Sequence, residues 1–366
     1  MVNDRHPERL DRVGGYNIDA IRIHPSTGEE ALKIEFGFVT ELNIYEDIQN
    51  NAITGSMEIV DTYNLIGNAQ LQGNERLSFR LETPGRGAAG MVATVDASEE
   101  TGYPFFIYSI TEQKQQTETT MTYTVFFCSN ELARNTRLRV NRTFDGDLGR
   151  MAVKILKDPN GMNTKKPVFF EPTRNQDTVL MPNLRPFDAV NLIAKKALSG
   201  NANGAGYYFY ETAKGFYFRS VENMLAYQST FPRPQIRTLK YERPTNSGTM
   251  TSRKVHTHLH NVQSYEFINK FDTLANQALG TYASRVITYN LYDKSYAIDD
   301  YDYHRQYGQL IHTDTTEDAR TRHNYPIARN PIDNDPKEIA NAGDKTISDY
   351  PESRIILQPS TRYLHN

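Results

Sequence analysis

The chain has 366 residues and a formal net charge of −3, with 23% charged and 38% apolar residues. That length exceeds one ordinary core and predicts two to four subdomains, while the near-neutral charge excludes a global positive field for nucleic acid. A single cysteine, Cys128, excludes an intramolecular disulfide framework and a cysteine zinc cluster.

In chain order, the opening "MVNDRHPERLDRVGGYNIDA" has no apolar h-region, so no secretory signal is expected and folding in a reducing cytoplasm is. No stretch approaches the roughly 20 apolar residues that span a bilayer. Residues 16–24, 31–47 and 54–63 alternate apolar and polar positions as strands do, with Met57 and Ile59 on one face and Glu58 on the other. Between the last two lies a polar tip, "YEDIQNNAITG", so residues 43–57 predict a long hairpin, followed by a short helix or turn at 64–71. Residues 74–84 alternate again, with Leu77, Phe79 and Leu81 on one side, and "PGRGAAG" is a turn. A second long hairpin is predicted from 103–116 and 119–129. Cys128 lies in its apolar return strand, "TYTVFFCSN", as a small buried hydrophobe.

From 129 to 199 the period changes. Ser129 is a candidate N-cap, residues 145–158 carry Leu148, Met151, Val153, Ile155 and Leu156 at helical spacing, and 186–200 show a stripe of Phe187, Val190, Ile193, Ala194 and Ala197. Residues 204–225 predict a hairpin turning at "TAKG". A second β region spans 252–300, and from about 309 onward the segment is polar, rich in turn signals and expected to be extended. The fold class expected is therefore α+β. Two β regions, 16–129 and 252–300, share a layout of long hairpins and flank a mixed α/β middle.

Chemistry is sparse. His256, His258 and His260 share one face of a strand, but i to i+4 spans about 13 Å, too far for one tetrahedral ion. A metal would need two of them with Asp299, Asp300 or His304; the expectation is a structural role and no stoichiometric metal. Arg134, Arg137, Arg139 and Arg142 cluster, the last three facing one way if the segment is a strand. Phosphate loop, HExxH and GxSxG patterns are all missing. No catalytic residue and no cofactor are expected.

The stretch "FVTELNIYEDIQNNAITGSMEIVDTYNLIG" with "GNERLSFRLETP" resembles the first domain of baseplate hub proteins from phages with contractile tails. "FFIYSITEQKQQTETTMTYTVFFCSNELARN" resembles the continuation in such hubs, and "LRPFDAVNLIAKKAL" the helix of their middle domains. The resemblance covers roughly residues 30–230, is looser over 250–300 and stops near 309. It implies two tail-tube-like β-barrel domains, at 1–129 and 252–308, with a mixed α/β middle region at 130–251 and an extended C-terminal segment at 309–366. It also implies a homotrimer: a pseudo-sixfold ring joining the sixfold tail tube to the threefold central spike in the virion. Partners implied are other copies of the chain, a tail-tube or tube-initiator protein, the spike and baseplate wedge proteins. DNA is implied only in transit, and stable membrane association is not. Tyr 23 and Phe 17 against Trp 0 suits surfaces that become buried on assembly. In that setting Tyr45, Glu46, Asp47, Gln49, Asn50 and Ile53 are the expected subunit-interface residues.

Overall fold

The computed structural model describes residues 17–18, 21–26, 30–68, 71–82, 94–100, 103–200, 206–224, 266, 283–290, 294–302 and 353–358. The chain is mostly β with few helices and divides into two compact units, Met1–Ser264 and Tyr265–Asn366.

The first unit begins with β1 (Asn17–Ile18), β2 (Ile21–His24), β3 (Leu32–Ile34), a 3-10 turn at Phe36–Phe38, β4 (Val39–Tyr45) and β5 (Thr54–Asp61). Helix α1 (Leu65–Asn68), β6 (Arg76–Ser78), β7 (Arg80–Glu82), β8 (Thr94–Asp96), β9 (Phe105–Gln115) and β10 (Met121–Ser129) follow. Seven of these strands form one sheet in the order β3-β2-β6-β9-β10-β5-β4. Its side chains divide as the alternation requires: Gly55, Met57, Ile59 and Asp61 of β5 are buried, and Thr54, Ser56, Glu58 and Val60 are only partly covered. Met57, Ile59, Leu77, Ile107, Val125 and Phe127 are all at 0% exposure and centre this core.

The expected barrel is not what forms. Among the described residues the sheet is open, because its edge strands β3 and β4 pair with nothing on their outer sides. The run at 74–84 also breaks in two after Ser78, and its second part joins β1 and β8 in a separate three-stranded sheet.

The middle of the chain supplies α2 (Asn130–Arg137), β11 (Thr143–Asp147), α3 (Leu148–Lys157), β12 (Val168–Phe170), β13 (Gln176–Leu180), α4 (Pro186–Ala194), β14 (Tyr207–Thr212) and β15 (Gly215–Ser220). Helix α3 starts where Asp147 accepts the Arg150 N–H at 2.7 Å, and α4 has Pro186 at its first position, where a missing N–H costs nothing. Their apolar stripes pack on each other and on Phe209, Phe216 and Phe218 of the β12-β15-β14 sheet. Ser129 does cap α2 by position, but its hydroxyl makes no cap bond. Because that helix runs through Arg137, the arginine cluster is not a strand face. Arg134 and Arg137 sit on α2, while Arg142 lies in the following loop, paired with Asp158 at 2.8 Å and set over the Phe144 ring.

The second unit contains β16 (Ala283–Asn290), β17 (Ser295–Asp302) and β18 (Ser353–Gln358) in one sheet of order β17-β16-β18. β17 pairs antiparallel and β18 parallel to β16, so residues 353–358, within the segment expected to be extended, form a strand of this sheet. His256, His258, His260 and His304 lie outside the described residues.

Candidate functional site

The β4–β5 hairpin is the polar feature singled out by the sequence, and its tip joins two hydrophobic cores. Ala52 packs into the middle core with Met151, Phe187 and Phe209, while its neighbour Ile53, 3% exposed, belongs to the core under the seven-stranded sheet. Two consecutive apolar residues pointing to opposite sides is what extended backbone does. Here the two sides are two different cores.

Polar contacts reinforce the joint. The Asn51 amide donates to the Phe209 carbonyl at 2.7 Å and exchanges hydrogen bonds with the Asn191 side chain of α4. Ile53 N–H donates to Glu211 Oε2 at 2.9 Å, and its carbonyl accepts from Ser129 N–H at 2.9 Å. Glu211 is 1% exposed and is held on its other oxygen by Lys166 Nζ at 2.5 Å. Lys166 also meets Glu131 Oε2 at 3.0 Å, and Glu131 Oε1 accepts from the Thr164 hydroxyl at 2.6 Å. One ammonium thus serves two buried carboxylates drawn from α2 and β14.

Electrostatics follow from that count. Burial pushes the Glu211 carboxyl above its ordinary range, and Lys166 opposes the shift without cancelling it. Burial also works against the Lys166 ammonium, but Glu211 and then Glu131 outweigh it and hold its pKa above the ordinary value. Cys128, 3% exposed beside this cluster, is pushed up to about 12 by burial and by the Glu211 charge, so it is a thiol with little nucleophilic character.

The six residues expected at a subunit boundary divide into two groups. Ile53 is inside the chain's own core, and Glu46 accepts the Ala213 N–H at the turn of the β14–β15 hairpin at 2.5 Å. Tyr45 is 54% exposed. Asp47, Gln49 and Asn50 are exposed and close the turn on themselves, Asp47 accepting from Gln49 N–H at 2.9 Å and from the Asn50 side chain at 3.0 Å. The sequence reading missed Asn51, Ala52, Glu131, Lys166 and Glu211. The apolar pair Ala52–Ile53 inside a polar tip was the available signal for the first two. Nothing local marks the three charges as buried.

Strand β4 forms the outer flank of this hairpin, pairing with β5 from Tyr45↔Thr54 to Val39↔Ile59 and with no strand on its other side among the described residues. Along its seven residues Glu41 is the one charged side chain. No group of three or more His, Cys, Asp or Glu among the described residues could hold a metal, and no described helix is long and apolar enough to cross a membrane.

Neither a protein-family model nor a curated relative matches the chain. Solved structures similar to it include a 43 kDa tail protein of prophage MuSo2 from Shewanella oneidensis, at 10% identity and TM-score 0.36, covering 56% of this chain and 53% of that one. A tail protein from Neisseria meningitidis MC58 is similar at 12% identity and TM-score 0.42, covering 78% of this chain and 68% of the other. Prophage tail protein gp18 from Listeria monocytogenes EGD-e is similar at 7% identity and TM-score 0.41, covering 78% and 67%. These likenesses are loose, and the chain spans about half the length of the Shewanella protein it matches.

Proposed function

We propose that the chain is a structural component of a phage tail baseplate, acting as its hub. Three copies form a pseudo-sixfold ring that joins the sixfold tail tube to the threefold spike and lets DNA pass. Two tube-like β domains per chain, at 1–129 and 252–308, belong to this reading, as do a structural rather than catalytic role and contacts to tube, spike and wedge proteins.

The observation that carries it is the β4 edge. Lone monomers protect an exposed edge with charges, prolines, bulges or a covering segment. β4 carries a bulge only at its start, between Val39 and Glu41; from Glu41 to Tyr45 it pairs regularly with β5 and presents one charge, while the tip at its end is pinned to the middle of the chain by Asn51 and Ile53. A fixed, lightly charged edge is suited to main-chain pairing with another subunit. The "IYEDIQNNAITGSMEIVDTYNL" pattern that resembles hub proteins falls on this same hairpin.

The mass of the purified protein in solution tests the proposal. Three copies per particle is the expected result. The alternatives are another ring or wedge component of the baseplate or a secretion-apparatus hub, and six copies would favour a tube-like ring. A monomer at every concentration overturns both.

A further inference from the structure

A groove crosses the outer face of the seven-stranded sheet beside helix α2, and the strand register fixes its floor. Thr54 pairs with Cys128, Cys128 with Phe106, Phe106 with Arg76 and Arg76 with His24. Direct partners share a face, so these side chains form one row across the adjacent strands β5, β10, β9, β6 and β2. The row lies opposite the face that buries Met57, Phe127 and Leu77. Its four strand spacings span about 19 Å. The wall is α2, which turns Leu132, Ala133, Thr136 and Arg137 to the groove and buries Glu131 and Asn135 on its other side.

The space has two lobes, of about 570 and 510 Å³, that meet at Asn74, Phe106, Asn130 and Arg137. Each is within the roughly 300–1,000 Å³ of ligand-binding clefts. The first lobe is apolar, walled by Phe106, Tyr108, Leu132 and Ala133. The second is charged. Its Glu99 meets His24 at 3.1 Å, while Arg76 and Arg137 are exposed and make no ion pair among the described residues. Two guanidinium groups against one carboxylate leave this lobe net positive whatever the state of His24. The carboxamides of Asn74 and Asn130, where the lobes meet, make no hydrogen bond among the described residues.

Spacing decides what fits. Because Phe106 and Arg76 are direct partners, the apolar wall and the base of a cationic side chain stand about 5 Å apart. An occupant must offer an apolar group and an anion equally close together. In an extended segment successive side chains point to opposite faces, so an aliphatic residue followed by an aspartate cannot place both in one groove. A chain terminus can, because its last residue carries side chain and carboxylate on a single Cα. Arginine forks pair with carboxylates through parallel N–H donors, and capture of a terminal carboxylate is a recurring mode of peptide recognition.

We infer that the groove captures the C-terminus of another polypeptide, one that ends on an aliphatic residue. The terminal carboxylate meets Arg76 and Arg137, the last side chain enters the apolar lobe, and the preceding residues run towards Thr54. At ~3.3 Å per residue, the row accommodates about five extended residues. The inference goes beyond the hub reading and does not rest on it, since the whole groove lies within one chain and is present at any number of copies.

The test uses the full chain and a synthetic pentapeptide, Gly-Ser-Leu-Ser-Leu, labelled with fluorescein at its N-terminus and read by anisotropy. Its two leucines share a face when extended. The free acid should bind saturably, and the same peptide with an amidated C-terminus should bind about tenfold more weakly or worse, as the loss of one charge-assisted contact requires. Arg76→Gln with Arg137→Gln should bring the free acid down to the level of the amide. Both positions are exposed, and circular dichroism confirms that the variant is folded. Equal binding of acid and amide overturns the inference, as does no binding up to about 1 mM, the weak end of specific affinity. Displacement of the label by decanoate at a lower concentration than by the unlabelled peptide makes the occupant a fatty acid and also overturns it. Tighter binding of an amidated Gly-Ser-Leu-Ser-Asp peptide than of the free acid does the same in favour of an internal acidic segment. Each of these outcomes leaves the number of copies per particle, and so the hub reading, untouched.

Discussion

Replacing Lys166 by Met should destabilise the protein far more than a surface charge would. The side chain is 10% exposed, and it sits between Glu131 at 8% and Glu211 at 0% side-chain exposure. Methionine fills much of the volume but supplies no charge, leaving two carboxylates without a cation in the joint between the two cores. Removing one partner of a buried pair costs about 3–5 kcal/mol, a large part of a typical domain's 5–15 kcal/mol. Urea denaturation at pH 8 should show the unfolding free energy falling by that amount, through a lower midpoint at an unchanged slope. The deficit should also depend on pH. Burial raises the Glu211 carboxyl above its ordinary range, and losing Lys166 raises it further. A carboxyl whose folded pKa is raised contributes stability that is present below the unfolded value and lost as pH rises through the folded one. The Lys166→Met deficit should therefore be smallest near pH 4.5 and grow towards pH 8. Adding Glu211→Gln, which keeps an acceptor for Ile53 N–H, should recover part of it. A deficit below about 1 kcal/mol, or one that is flat with pH, would refute the reasoning and mean that water reaches the cluster.

Gly55→Ala should lower stability by about 1–3 kcal/mol in a thermal melt, because a Cβ there overlaps the Phe127 ring and lies 2.5 Å from the Asn43 carbonyl. Glu46→Lys with Asp47→Lys should leave the circular dichroism spectrum intact, cost about 1 kcal/mol for the lost Ala213 bond, and, on the proposed trimeric assembly, shift sedimentation towards monomer. An unchanged trimer at micromolar concentration would remove the tip from any subunit boundary. Ile53→Pro should instead prevent folding, because it deletes the donor to Glu211 inside the core. Cys128 should fail to react with a thiol reagent at pH 8 in the native protein and react fully in guanidine, as a buried thiol raised to about 12 requires; a native reaction at the free-thiol rate would contradict the burial.

Local pattern carried the sequence reading a long way. Alternation at 54–61 and the helical stripe at 186–194 each describe a surface whose burial is decided by neighbours a few residues away, and Met57, Ile59, Phe187, Val190 and Ile193 are buried as those patterns require. The arginine cluster went astray because two-residue spacing was read without its helix. Asn130–Arg137 is polar enough to hide its period, and only its packing at the end of β10 declares it. Long-range polar contacts were out of reach altogether. Glu211 follows an aromatic run and looks like a solvated strand position, yet alternation with Phe209 and Tyr207 turns it inward, where Lys166 and the Ile53 amide wait. The second β region sets a different limit, since β16 takes one of its two described partners, β18, from beyond residue 350 and no local period announces a parallel strand.

The link between Ile53 and Glu211 also sets a clock on synthesis. Their separation is 158 residues, and a ribosome adding about 5–20 residues per second needs roughly 8–30 s to cover it. Throughout that interval the β4–β5 hairpin can form beside β9 and β10 once they emerge, but its tip cannot dock fully: Asn51 and Ala52 lack Phe209, and the Ile53 amide lacks its Glu211 acceptor. A nascent chain in this condition is a target for holdase chaperones and for pairing with its neighbours on the same message. Slowing translation between residues 130 and 211 should lengthen that exposure and lower the yield of folded protein, whereas the same slowing after residue 220 should not.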